Sequence, residues 1–109
     1  MNIPEITVGC SNSCDVYLRH SSALRTDTVS RRHLLLKSAP EPGMYHLTDL
    51  NSSNGTYVQC EGKWIRIRTA VVGLYNKLRL GAFETTVAAL INAWEQRQYQ
   101  SPDTPSPRG

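Results

Sequence analysis

The chain has 109 residues, 39% of them hydrophobic, which fits one small globular domain with one core and excludes a second. Twelve basic residues against nine acidic ones leave a formal charge of +3, carried mostly by arginine, so an anionic partner stands beside the plainer reading of a solvated basic face. No apolar N-terminal run resembles a signal peptide or a membrane span, and three cysteines, an odd number, point to thiols in the reducing cytoplasm.

In chain order, residues 3–8 alternate loosely and stop at Gly9, which reads as a short strand ending where the backbone needs freedom. Cys-Ser-Asn-Ser-Cys at 10–14 is turn chemistry, a second strand is expected over 15–19, and 20–28 is a polar loop without periodicity. A strand over 33–38 follows. Two prolines and a glycine within 39–43 require a turn, after which a strand over 44–48 pairs back. Residues 56–60 run into a hairpin at Glu61-Gly62 and return over 64–68, with Ile65 and Ile67 on one face and Arg66 and Arg68 on the other.

Val71-Val72, residues 78–80 and residues 83–91 supply the remaining apolar segments. In the last of these Val87, Leu90, Ile91 and Trp94 also fit helical spacing, but Thr85-Thr86-Val87 favours a strand over 84–90, with a short helix or frayed end over 92–100. Residues 101–109 carry three prolines and no core residue, so a domain over 1–91 is expected to give way to a disordered tail. The core is expected to be Leu, Ile and Val, with the tyrosines and tryptophans at its margins. Short strands separated by turn signals, with no long helix between them, indicate an all-β antiparallel sandwich or barrel.

Two polar stretches stand out. Ser30, Arg31, Arg32 and His33 lie between a polar loop and the apolar run Leu34-Leu35-Leu36, where a loop enters a strand. Arg19 and Arg25 lie close upstream. The second stretch runs from Asp49 to Thr56 and contains Asn54-Gly55, a strong hairpin signal because a type I′ turn needs positive φ at both central residues. A hydroxyl and guanidinium groups make a charge-assisted receptor for a phosphate, which at neutral pH carries one to two negative charges. An asparagine amide, both donor and acceptor, can hold an extended peptide backbone in register. The plain alternative is a turn serine beside a solvated arginine pair.

Other chemistry is poorly supported. Cys10, Cys14 and Cys60 with His20, His33 and His46 lack a structural zinc spacing, so no metal and no cofactor is expected. A Cys or Ser hydrolase using His33 lacks a Gly-x-Ser-x-Gly elbow and a marked acidic partner for the imidazole. No stripe of alternating aromatic and basic residues marks a nucleic-acid surface.

Gly9, Cys14-Asp15-Val16, Ser30-Arg31-Arg32-His33, Asp49, Ser52-Ser53-Asn54-Gly55-Thr56 and Leu78-Arg79-Leu80-Gly81, in that order, resemble the forkhead-associated (FHA) domain over roughly residues 5–91. The resemblance implies a β-sandwich of two twisted sheets that binds phosphothreonine segments of partner proteins through loops at one end, in signalling or bacterial secretion. It implies that Ser30 and Arg31 bind the phosphate, with Ser53 within reach, and that Asn54 holds the peptide main chain. Gly9, His33 and Gly55 would support the site, His33 as a structural brace.

Two departures follow. Family members usually carry an arginine after the glycine matched by Gly9, where this chain has Cys10. Loss of one charge-assisted hydrogen bond, about 1.5–3 kcal/mol, weakens binding by about one to two decades unless Arg25 or Arg32 compensates. Otherwise the module is a degenerate scaffold that docks its partner independently of phosphate. Few residues precede Gly9, so the sandwich is either trimmed at its N-terminus or covered there by another segment, such as the C-terminal part.

Overall fold

The computed structural model describes residues 3–99. Nine strands form two sheets: β1 (Ile6–Gly9), β2 (Val16–Tyr17), β3 (Leu34–Ser38), β4 (Met44–Asp49), β5 (Thr56–Cys60), β6 (Lys63–Ile67), β7 (Thr69–Gly73), β8 (Lys77–Leu80) and β9 (Phe83–Thr86). One sheet has the order β2-β1-β3-β4-β7 and the other β6-β5-β8-β9. Every pairing is antiparallel except β1 with β2, which run parallel with Val8 opposite Val16. The chain crosses between the sheets after β4, after β6 and after β7, the second time at Arg68, whose carbonyl accepts the Asp49 N–H at 2.7 Å.

Alternation decides which side chains face inward. Ile6, Val8, Leu34, Leu36, Leu47 and Val72 of the first sheet meet Leu78 and Leu80 of the second in one buried cluster. Aliphatic residues dominate it, as expected. Tyr45 departs from the expectation that tyrosines sit at the margin: it is buried at 3% exposure, because alternation puts it on the core face of β4 with Leu47.

The strand expected over 84–90 holds only as far as Thr86. β9 ends at Thr86 and a helix, α1 (Val87–Tyr99), begins at once. Thr86 is its N-cap, its hydroxyl accepting the Ala89 N–H at 3.1 Å. Helical geometry turns Val87, Leu90, Ile91 and Trp94 to the core together, whereas a strand would send Leu90 to the opposite face from Val87 and Ile91. Burial therefore overrides the β-propensity of the threonine pair. Helix α1 packs against β9 and β2, so the C-terminal part supplies cover beside the sheet edge that β2 forms. The second strand is also shorter than the expected 15–19. The tail at 101–109 lies outside the described residues.

Gly9 is the last residue of β1 rather than a break after it, paired with Tyr17. A Cβ there would stand 2.0 Å from the Arg31 carbonyl oxygen and 2.6 Å from its carbon. Close approach of two backbones, not rotational freedom, requires the glycine.

Candidate functional site

The loop before β3 and the loop between β4 and β5 meet at one end of the sandwich. A 3₁₀ turn at Thr26–Thr28 opens the first, preceded by Arg25 in a left-handed conformation at φ 64°. The Thr28 hydroxyl donates to the Arg25 carbonyl at 2.6 Å and accepts the Ala82 N–H at 2.8 Å, so the turn is tied to the β8–β9 hairpin. Buried Val29 then anchors the chain just before Ser30.

His33 joins the two loops from beneath. Its Nδ1 accepts the Ser30 N–H at 3.0 Å, which leaves the proton on Nε2 to donate to the Gly55 carbonyl at 2.9 Å. Burial lowers the imidazole below its ordinary pKa, outweighing the Gly55 hydrogen bond and the nearby Asp49 carboxylate that favour the charged form. The neutral tautomer is the one both hydrogen bonds require. Both ring nitrogens are thus engaged, one toward each loop.

Asp49 organises the second loop. Its Oδ1 accepts the Ser52 hydroxyl at 2.5 Å and the Thr56 hydroxyl at 2.7 Å, and its Oδ2 accepts the Ser52 N–H at 3.0 Å. Burial alone would raise this carboxyl, but the hydrogen bonds from Ser52 and Thr56, with His33 beside it, together hold it below its ordinary value. The Ser52 hydroxyl in turn accepts the Gly55 N–H at 3.0 Å, closing a turn in which Gly55 has φ 85°.

At the surface the Ser30 hydroxyl oxygen accepts the Ser53 N–H at 3.0 Å, leaving its own proton available to an incoming oxyanion. The Asn54 side-chain N–H donates to the Thr28 carbonyl at 2.9 Å, which fixes the amide plane and leaves its carbonyl oxygen free to accept. Ser30, His33, Ser53, Asn54 and Gly55 thus converge, with Gly9 beneath them. Arg31 and Arg32 are exposed, and neither guanidinium has an ion-pair partner among the described residues. Arg25 is also exposed and joins the cluster only through its backbone.

The β1–β2 loop, residues 10–14, forms the third wall. Cys10 N–H donates to the Ser30 carbonyl at 3.0 Å, while Ser11 N–H at 3.2 Å and the Cys14 thiol at 3.1 Å donate to the Arg31 carbonyl. Cys10 itself is half-buried against the core. From the other side Arg97 of α1 donates to the carbonyls of Cys14 and Asn12, the latter at 2.8 Å.

Sequence reasoning missed Arg97, which lies 83 residues from Cys14. It also missed Arg66. Register places Arg66 opposite Tyr57, and a Cβ on Gly55 would stand 2.7 Å from Arg66 Nε and 3.2 Å from the Tyr57 hydroxyl. Only the alternation of β6 hinted at it, by putting Arg66 and Arg68 on one face.

Among the described residues no group of three or more histidine, cysteine or acidic side chains could hold a metal ion, and no helix is long and apolar enough to cross a membrane. The family model of the FHA domain matches residues 6–72, more than half of the chain. The chain belongs to the FHA domain family.

Solved FHA structures share the fold. An FHA domain studied for phosphothreonine-dependent interactions superposes with a TM-score of 0.61 at 24% identity, over 79% of this chain and 77% of that one. EmbR of Mycobacterium tuberculosis, in complex with a low-affinity phosphopeptide, gives 0.57 at 26% identity over 75% of this chain and 19% of EmbR. The FhaA FHA domain, complexed with the intracellular domain of a partner protein, gives 0.56 at 25% identity over 77% and 79% of the two chains. No curated protein sequence matches this FHA domain.

Proposed function

We propose that this FHA domain is a protein-interaction module, not an enzyme, that binds a phosphothreonine-containing segment of a partner protein in the cytoplasm. The observation that carries this reading is the Ser30 hydroxyl, held by the Ser53 N–H at 3.0 Å with its own proton unused, followed in the chain by Arg31 and Arg32, which are exposed and have no ion-pair partner among the described residues. The Ser30 proton donates to one phosphate oxygen. Arg31 supplies charge and further donors, with Ser53 and Arg25 at the rim. The Asn54 carbonyl oxygen accepts a main-chain N–H of the ligand, which fixes its register. His33, Gly9 and Gly55 hold this receptor and touch no ligand. Phosphopeptides bound by EmbR support the same chemistry here.

A second reading draws on Cys10. Its half-buried side chain lies against the core where the family usually has a phosphate-contacting arginine, which favours a scaffold that docks its partner without phosphate. The two readings separate in one experiment. A degenerate peptide library is presented as phosphothreonine, phosphoserine and unmodified threonine to the wild type and to Cys10→Arg. Selective capture of phosphothreonine by the wild type is expected, strengthened about ten- to a hundredfold in Cys10→Arg. Capture by Cys10→Arg alone would leave the pocket intact but disabled and send the search for a partner to another surface.

A further inference from the structure

Each sheet has two edge strands, and three of the four are blunted against pairing with another chain. Helix α1 lies against β2 and β9. Strand β6 carries Lys63 and Arg66 and runs into Arg68, cations that repel a copy of the same edge. Strand β7, Thr69-Ala70-Val71-Val72-Gly73, has no charge and no proline; Thr69 and Val71 are exposed, Val71 at 48%. Its main chain is also open on one side. The Asp49 N–H donates to the Arg68 carbonyl, so the ladder between β4 and β7 continues through the alternate pairs Leu47 with Ala70 and Tyr45 with Val72. The N–H and C=O groups of Thr69, Val71 and Gly73 therefore point away from β4. Asn76 closes those of Gly73: its side-chain oxygen accepts the Gly73 N–H at 2.7 Å, and its own N–H donates to the Gly73 carbonyl at 3.4 Å. Those of Thr69 and Val71 have no partner among the described residues.

We infer that β7 is a self-association edge, which pairs antiparallel with β7 of a second copy and joins the two five-stranded sheets into one. The unpaired groups are symmetric about Ala70, and that symmetry selects a second copy as the occupant. With the two Ala70 residues facing each other across a twofold axis, Thr69 of each copy lies opposite Val71 of the other. Both are then hydrogen-bonded pairs, and every open N–H and C=O of the edge is used in both chains. Thr69 and Val71 project from the same face, where β-branched side chains pair well across strands. Ala70 on the other face is small and uncharged, and nothing along the strand repels its copy. The dimer also has a direction. Strand β7 starts beside the receptor end, with Thr69 opposite Thr48, and finishes at the far end, with Gly73 opposite Met44. Antiparallel pairing therefore sets the two Ser30 receptors at opposite ends of the dimer. On the reading proposed above, one dimer bridges two phosphothreonine segments; the pairing itself does not rest on that reading.

The test is sedimentation equilibrium of the full chain. A single strand pair buries less than the roughly 1,600 Å² of a standard interface, so the dimer is weak and the range runs from about 10 µM to about 1 mM. Across it the wild type is expected to move from the monomer mass toward twice that mass. Amide exchange at Thr69 and Val71 should slow severalfold over the same range, because their N–H groups become paired. Val71→Pro removes an N–H that the monomer leaves unused, a change that an edge strand tolerates, and Val71→Lys puts a charge on the edge. Each variant, checked for folding by its thermal transition, is expected to associate at least about tenfold more weakly. Ile65→Lys, at an exposed position of the β6 edge, should leave association unchanged. A wild type that stays monomeric at about 1 mM overturns the inference. So does association that survives both Val71 variants, or that Ile65→Lys abolishes equally. A phosphothreonine peptide is read separately, two expected per wild-type dimer and one per Val71→Lys monomer. If no peptide binds, the receptor reading fails while the mass and exchange data still decide the dimer.

Discussion

The Ser30 hydroxyl accepts the backbone N–H of Ser53 at 3.0 Å, across 23 residues of chain. This one contact ties the loop before β3 to the loop after β4 and orients the Ser30 proton outward. Ser30→Ala removes both effects. The Ser53 N–H is exposed and water can replace the lost acceptor, so the stability cost is about 0.5–1.5 kcal/mol. Phosphothreonine affinity is expected to fall about ten- to a hundredfold, as one charge-assisted hydrogen bond is lost. Titration calorimetry beside a urea melt checks both, and unchanged affinity in a folded variant would remove Ser30 from the receptor.

Acid should loosen the joint between the loops. The His33 imidazole sits below its ordinary 6.5 in the folded chain, so between that value and the lowered one the unfolded chain binds more protons than the folded one. Stability is then complete above about pH 6.5 and falls as pH drops below it, by at most about 1.4 kcal/mol per pH unit. Asp49, lowered from 3.8, adds a further loss near and below that pH, of the same sign. Urea midpoints measured from pH 7.5 down to 4.5 should decline for the wild type, and the decline below 6.5 should flatten in His33→Gln. A wild-type midpoint that rises on acidification would contradict the buried neutral imidazole.

Arg97 should act on a loop rather than on the whole fold. Its guanidinium is exposed and bonds the carbonyls of Asn12 and Cys14, so Arg97→Ala is expected to cost no more than about 1 kcal/mol of global stability. The β1–β2 loop loses its outer support. Amide exchange at Ser11 and Cys14, whose N–H groups bond within and beneath that loop, should accelerate several-fold while exchange in β3 and β4 does not. Uniform acceleration across both sheets would show instead that Arg97 holds α1 to the core.

Much of this was legible in the sequence because it is written in neighbouring residues. Alternating apolar positions mark strands, and Ser30 to His33 places a hydroxyl, two cations and an imidazole within four residues. Asn54-Gly55 does mark a turn, but not the expected hairpin: only Gly55 has a positive φ, and β4 and β5 on either side lie in different sheets. The helix start was misread for a local reason as well. Thr85 and Thr86 carry the same β-branched preference, and that preference was set above the helical spacing of Val87, Leu90, Ile91 and Trp94, although Thr86 is an N-cap whose hydroxyl meets the Ala89 N–H.

By itself, then, the sequence determined the sandwich class and the family, and it singled out the residues proposed for the Ser30 receptor, since each depends on local propensity or on a short ordered motif. Tertiary structure alone decided the rest. Gly9 is needed because the Arg31 carbonyl passes where a Cβ would stand, a contact between segments that share no pattern. Arg66 comes over Gly55 only through the β5–β6 register, and Arg97 reaches the third loop only because burial turned its segment into a helix. Such contacts arise from packing between distant segments, whose register and crossing are settled by the shared core rather than by any stretch of the chain.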